Sequence, residues 1–222
     1  LIATYSSNIE ENETFLYFSK HFKSKNLPVP EILAVNDDKS CYIQSDFGDT
    51  SLFDYVKKCL NNNTYDDTTI NLYKKAIADL VRFQINGHVN LDYSMAFPTP
   101  SFDKTSIIDD LNYFKYYFLK LNEEITFNET RLNSNFQKLA DYAMESPSDF
   151  FMYRDFQSRN IMIKDNTTFF IDYQGGRKGP LQYDLVSLFY LVKSQFPYKL
   201  SIDLLNHYKN DISIYLDVLE LS

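Results

Sequence analysis

The segment "YRDFQSRNIMIKDNTTFFIDYQGG", residues 153–176, carries an acid, an amide and a second acid at Asp155, Asn160 and Asp172. Each stands beside a short apolar run. "IMIK" and "FFID" read as two strands joined by the turn "DNT". A two-stranded hairpin returns its open ends to one place, so Asn160 and Asp172 are expected at the same edge. A carboxylate and an amide carbonyl there are hard oxygen ligands of the kind Mg2+ takes. Asp155 on that edge could accept a proton from a hydroxyl. A single Asp or Asn beside a strand usually does no more than cap a turn. The trio, flanked by apolar strands, points instead to a metal-and-nucleophile site.

Phosphoryl transfer by kinases divides labour in this way: one Asp orients and deprotonates the nucleophile, while an Asn and a second Asp hold Mg2+ on the nucleotide phosphates. The kinase pattern His-Arg-Asp, four residues, Asn, then Asp-Phe-Gly, becomes Tyr153-Arg154-Asp155, four residues, Asn160, then Asp172-Tyr173-Gln174. The expected cofactors are therefore Mg2+ and ATP.

Several elements must position these residues. Residues 1–5 read as a strand, and residues 7–26 as a helix with Ile9, Phe15, Phe18 and Phe22 near helical spacing. "LPVP" ends that helix, and "EILAVN" and "SCYIQSD" form a hairpin around "DDK". "DFGDTSLFDYVKKCL" is a loop and a helix with Asp49, Thr50 or Ser51 as N-cap. Residues 61–69 read as a polar linker, 70–85, 107–121 and 129–144 as helices, and "FPTPSFDKTS" as a loop. After "FFMY" and the catalytic hairpin come a Gly-rich loop, "YQGGRKGP", and an apolar helix, "LQYDLVSLFYLVKS". The expected fold class is α+β: a protein kinase-like two-lobed fold with a small β-rich lobe over 1–48 and a larger, mainly helical lobe over 49–222. The catalytic hairpin lies within 151–176, and a cleft between lobes is where a ligand binds.

Composition narrows the classes. A net charge of -8 over 222 residues excludes a chain built to coat nucleic acid, yet leaves room for one nucleotide. The 17% aromatic content, all Tyr and Phe, supplies a sizeable core. Cys41 and Cys59 have no metal spacing and read as buried free thiols. No apolar run approaches the roughly 20 residues of a membrane span and no signal peptide is visible, so a cytoplasmic setting is expected. His21, His88 and His207 read as surface or capping residues. Both ends read as cut, which makes the chain a fragment of a longer protein: a strand opens it and an apolar helical pattern closes it.

"YRDFQSRNIMI…FIDYQGGRKGPLQYDLVSLF" resembles the core of the aminoglycoside phosphotransferase-like kinases. Within them it is most similar to the bacterial anomeric sugar kinases acting on N-acetylmuramate and N-acetylglucosamine. "SRN" around Asn160, the Tyr and Gln after Asp172, and "GP…YDLVSL" at 179–188 carry the narrower likeness, with "PVPEILA", "SDFGDTSLFDYV" and "FDKTSIIDDLNYF" upstream. The resemblance implies Asp155 as catalytic base and Asn160 and Asp172 as Mg2+ ligands, with Arg154 and Asp184 as structural support. It implies a hinge over 44–48, where the backbone of Gln44, Ser45, Asp46 and Phe47 would meet adenine. Asp103 and Asp110 match acidic positions on the substrate side; capping and a solvated helix face are their other readings. Arg159 and Arg177 invite contact with a phosphate, or an internal salt bridge.

The likeness has departures. Tyr153 stands where His is usual, "YQGG" lacks the acid that such sugar kinases carry after the Gln, and the first strand has no Lys for the phosphates. Glu11 or Glu13 would be the helix partner of such a Lys, and the nucleotide-covering loop would precede Leu1. A sugar kinase is thus expected, with a nucleotidyltransferase as implied pathway partner. An aminoglycoside phosphotransferase and a nucleotide- or sugar-sensing module without turnover are the alternatives. Protein kinase activity is disfavoured because no Ala-Pro-Glu segment follows Asp172.

Overall fold

The computed structural model describes residues 1–59, 65–190 and 196–220. Strand β1 (Ile2–Tyr5) leads into helix α1 (Ile9–Ser24) and then the hairpin β2 (Ile32–Val35) and β3 (Cys41–Gln44). They form an antiparallel sheet in the order β1-β3-β2, with Ile2 and Ile32 both opposite Gln44. Asn8 caps α1: its side chain accepts from Glu11 N at 3.3 Å and donates to Glu11 Oε2 at 3.1 Å, satisfying an otherwise orphaned N–H.

Phe15, Phe18 and Phe22 recur at three- and four-residue spacing and so form one stripe along α1. That stripe is buried, and it joins a single core that runs from Phe15 to Ile212. Phe22 packs edge-on against Phe83, Phe151 and Tyr173 at centroid distances of 5.1, 5.0 and 5.5 Å.

Helix α2 (Leu52–Cys59) is capped by Ser51, which accepts from Asp54 N at 3.1 Å and donates to Asp54 Oδ2 at 2.6 Å. Helix α3 (Asp67–Ile85) begins earlier than the polar linker expected over 61–69 allows. Asp66 takes the N–H of Thr69 at 2.7 Å, so the acids and threonines before Ile70 are a capped first turn; residues 61–64 lie outside the described ones. Helix α4 (Lys104–Phe114) likewise starts ahead of Ile107, behind the cap Asp103, and passes into a π-helical turn over Lys115–Leu119. Helix α5 (Glu129–Ala143) follows as expected.

Strand β4 (Phe150–Met152) pairs antiparallel with β7 (Arg177–Gly179), a strand where a Gly-rich loop is expected. The glycines explain it: a Cβ on Gly179 would lie 2.6 Å from Met152 Sδ, so only glycine lets the two strands approach. Between them, β5 (Ile161–Lys164) and β6 (Thr167–Phe170) form the expected hairpin. Its turn residues Asp165 and Asn166 both adopt positive φ, 51° and 56°, the conformation of a tight type I′ turn. Helix α6 (Gln182–Phe189) comes next, the rest of its expected span over 191–194 lying outside the described residues. Helix α7 (Tyr198–Glu220) packs on α3. Cys41 and Cys59 are free and half-buried, not buried as expected, because both sit at the ends of surface elements. No described helix is long and apolar enough to cross a membrane.

One polar group inside this core fixes the loop after β4. Asp184, 0% exposed, accepts from the backbone N–H of Tyr153 at 2.9 Å and of Arg154 at 3.0 Å. A third donor is Gln84 Nε2 at 3.1 Å, and Gln84 Oε1 in turn accepts from Tyr208 at 2.6 Å. Burial pushes the Asp184 carboxyl up to about 7, against the pull of those N–H donors toward the ionised form.

Phe22→Ala should lower unfolding stability by about 3–5 kcal/mol, the cost of a large aromatic cavity, read as a drop in denaturant midpoint at constant slope. Asp184→Ala should cost about 3 kcal/mol or more, because three N–H groups lose their acceptor in the core. A loss under about 1 kcal/mol would place the order of the loop elsewhere.

Candidate active site

The chain leaves β4 and turns sharply at Arg154, whose φ of 78° is left-handed. An L-residue adopts that conformation at a cost, offset here by the Asp184 bond to its N–H. The Arg154 side chain crosses to α4 and grips Asp110 with both forks, Nη1 to Oδ2 at 2.9 Å and Nη2 to Oδ1 at 2.8 Å. The rings of Phe102 and Tyr183 lie 5.1 and 5.5 Å from its guanidinium carbon.

Tyr153 is fully buried among Phe83, Phe156 and Phe170, and its hydroxyl donates to Ile171 O at 2.7 Å. It ties the catalytic loop to the end of β6, immediately before Asp172. Asn160 N donates to Gln157 O at 2.8 Å, and Ile171 N to Asn160 O at 3.1 Å, so the hairpin mouth is closed by backbone bonds.

That mouth brings the three chemical residues together. Asn160 Nδ2 donates to Asp172 Oδ2 at 2.8 Å and to Asp155 O at 3.0 Å. Asp172 holds a left-handed φ of 68°, and its Oδ1 accepts from Gln174 Nε2 at 2.8 Å. Gln174 Nε2 also reaches Glu11 Oε1 at 3.4 Å, which brings α1 to the site edge. Glu13 points elsewhere, paired with Lys39 at 2.5 Å. Among the described residues the Asp155 carboxylate accepts no hydrogen bond. Burial first, then the neighbouring Asp172 charge, push Asp155 above the usual carboxylate range, against Arg154, Arg159 and Arg177.

Asn160 and Asp172 open onto a cleft of about 330 Å³, within the range of small-molecule sites. Its walls include Ile2, Phe15, Met162 and Ile171, with Gln174 beside Asp172. Of the expected hinge residues, Gln44, Ser45 and Phe47 line it, and Gln44 Oε1 is buried without a partner. Asp46 does not line it; its carboxylate is turned to Gly48 N at 2.8 Å. Phe47 stacks on Phe169 at 4.1 Å, fastening the hinge to the hairpin. No lysine lines this cleft among the described residues.

The other expected contacts are engaged differently. Asp103 caps α4 through Ser106 N at 2.8 Å, and Asp110, its side chain 44% exposed, also gives both oxygens to Arg154. The expected internal salt bridge of Arg159 or Arg177 does not form among the described residues: Arg154 takes the nearby acid. Arg159 is exposed. Arg177 is 7% exposed and donates from Nε to Gly175 O and from Nη1 to Thr99 Oγ1, both at 3.0 Å. The histidines lie away from the site, His21 on Gly87 O, His88 on the Tyr93 hydroxyl and His207 beside Asp211. Sequence reasoning missed Gln84 and Tyr208 behind Asp184, and Thr99 behind Arg177; no local pattern marks any of them.

Among the described residues no three His, Cys, Asp or Glu side chains gather into a metal cage. Asn160 and Asp172 nonetheless fit Mg2+: Asn160 Oδ1 accepts no hydrogen bond among the described residues, and Asp172 keeps lone pairs beyond the two amide bonds. Mg2+ is held this way where phosphates supply further oxygens.

The profile of the phosphotransferase enzyme family matches residues 5–217. The chain is 25% identical over 177 residues to the N-acetylmuramate/N-acetylglucosamine kinase of Neisseria meningitidis, covering 78% of this chain and 49% of that protein. It is 24% identical over 165 residues to the protein of the same name from Pseudomonas aeruginosa, covering 72% and 44%. The chain thus spans about half the length of the curated relatives it matches. Among solved structures, ADP-bound aminoglycoside phosphotransferase APH(2'')-Ib superposes with a TM-score of 0.63 at 14% identity, over 90% of this chain and 66% of that one. Choline kinase LicA from Streptococcus pneumoniae gives 0.61 at 14% identity, over 93% and 66%. These two likenesses speak for a kinase-like fold, and with a family profile that covers nearly every residue, the chain belongs to the phosphotransferase enzyme family.

Proposed function

We propose that this chain is the core of an ATP-dependent small-molecule kinase that phosphorylates a hydroxyl of an amino sugar, at the anomeric position. The observation that supports this reading is the convergence of Asp155, Asn160 and Asp172 at one hairpin mouth, where Asn160 and Asp172 open on a cleft of about 330 Å³. The base of ATP would lie against Ile2, Met162 and Ile171, with the hinge residues at its edge. Mg2+, when bound by Asn160 and Asp172, neutralises phosphate charge. Asp155 takes the proton of the acceptor hydroxyl as that oxygen bonds to the terminal phosphorus. The bond from that phosphorus to the bridging oxygen breaks, and ADP leaves. The names of the curated relatives support an amino sugar as acceptor. A nucleotidyltransferase acting on the sugar phosphate is the implied partner, and ATP as donor implies a cytoplasmic reaction.

A second reading has one observation in its favour. No lysine lines the cleft among the described residues, which suits a domain that binds nucleotide or sugar without turnover. The test is ADP release by the full-length protein with ATP, Mg2+ and a panel of amino sugars and aminoglycosides. Sugar-dependent release that falls by about 10³-fold or more in Asp155→Asn is expected, the scale of losing base and positioning together. ATP binding without release on any acceptor would leave the sensor.

The pH profile gives a separate check. Asp155 works ionised, so activity falls as pH drops through its pKa. Arg159 favours the ionised form, and Arg159→Gln should move the acidic limb of kcat/KM to higher pH. A limb that stays in place or moves to lower pH would take Asp155 out of the role of base.

A further inference from the structure

Arg177 is a buried cation without an ion pair. The residue is 7% exposed, and among the described residues no carboxylate oxygen lies within 4 Å of its guanidinium. Its two hydrogen bonds go to neutral acceptors, Gly175 O and Thr99 Oγ1. Nη2 donates to nothing among the described residues. Burying a guanidinium in this way costs free energy that a counter-ion would offset. Asp110, whose charge acts on Arg177, already has both oxygens on Arg154.

The place of Arg177 says which side of the reaction it serves. It does not line the cleft that holds Gln44, Asn160 and Asp172. It is bound instead to Thr99, in the loop that leads into α4. Gly175, whose carbonyl takes Nε, lies against the base: a Cβ built on it would be 3.6 Å from Asp155 Oδ2. The cation is therefore one residue from the group that receives the acceptor's proton, outside the cleft that the hinge residues line.

Building on the kinase reading above, we infer that Arg177 is the receptor for an anionic oxygen group on the acceptor, a carboxylate carried by the sugar. A guanidinium anchored through Nε and Nη1 presents Nη2 in a fixed direction, and a carboxylate meets such a fork with charge-assisted hydrogen bonds. The same charge repels a polycationic acceptor, so specificity against aminoglycosides comes with it. The phosphoryl group in transfer is the other source of anionic oxygens, and acceptor comparison separates the two.

The experiment uses full-length protein with saturating ATP and Mg2+, and two acceptors, N-acetylmuramate and N-acetylglucosamine, of which only the first carries a lactyl carboxylate. Wild type should favour the acid. In Arg177→Gln the ratio of kcat/KM values, acid over neutral, should fall about 10- to 100-fold, the scale of a lost charge-assisted bond. Arg177→Lys, which keeps the charge and loses the fork, should give a smaller fall, and it carries the test if the Gln variant does not fold. An unchanged ratio, with both acceptors slowed equally, assigns Arg177 to the phosphoryl group and overturns the inference. Thermal melting with each sugar and no ATP separates this from the kinase reading. A rise in Tm with the acid alone, absent in the variant, supports the receptor even if neither sugar is turned over. Equal shifts with both sugars overturn it.

Discussion

Everything at the site hangs from one buried carboxylate. Asp184 reaches out of α6 into the core and takes the N–H groups of two consecutive residues, Tyr153 and Arg154. A loop must leave such donors in water or find them an acceptor, because buried N–H groups are not left unpaired. Here the acceptor is a carboxyl that is itself braced by α3 and α7 through Gln84 and Tyr208. The left-handed turn at Arg154 follows from that clamp. Tyr153 then carries the order across to Ile171 and the neighbouring Asp172. Where related kinases have a histidine, a phenol does the tying.

Burial, and after it repulsion from Asp172, keep the pKa of Asp155 raised, while two amides, Asn160 and Gln174, spread the Asp172 charge by hydrogen bonding. Three arginines face the same region with unequal freedom: Arg154 is bound to an acid, Arg159 is exposed, and Arg177 is buried without a counter-ion. The cleft at Asn160 and Asp172 has both apolar and polar walls and lacks a lysine among the described residues. None of these three arginines lines that cleft.

The catalytic hairpin was legible because its chemistry is local: two apolar strands, a two-residue turn that takes positive φ, and polar residues at the open end. The caps on α2 and α4 were legible for the same reason. Strand β7 was not, since three residues between glycines and a proline gain their pairing only from Phe150–Met152, far back in the chain. The first turn of α3 was misread as linker because capping acids and loop acids have the same composition. Asp110 looked like a solvated or substrate-facing acid; its partner, Arg154, is 44 residues away, and no spacing rule reports that. Arg177 shows the reverse case, a residue flagged for its charge whose burial only the fold reveals.

Helix α1 belongs by sequence with the small sheet, yet Phe18 and Phe22 are sealed against Phe83 and Phe151, among the helices and β4. The segment behind it is pinned as well, with Phe170 N on Pro28 O. The sheet therefore cannot swing with its own helix as one rigid lever. Ser45 N meets Glu31 O at the foot of that sheet, and α1, sealed from behind, holds Glu11 against Gln174 at the mouth.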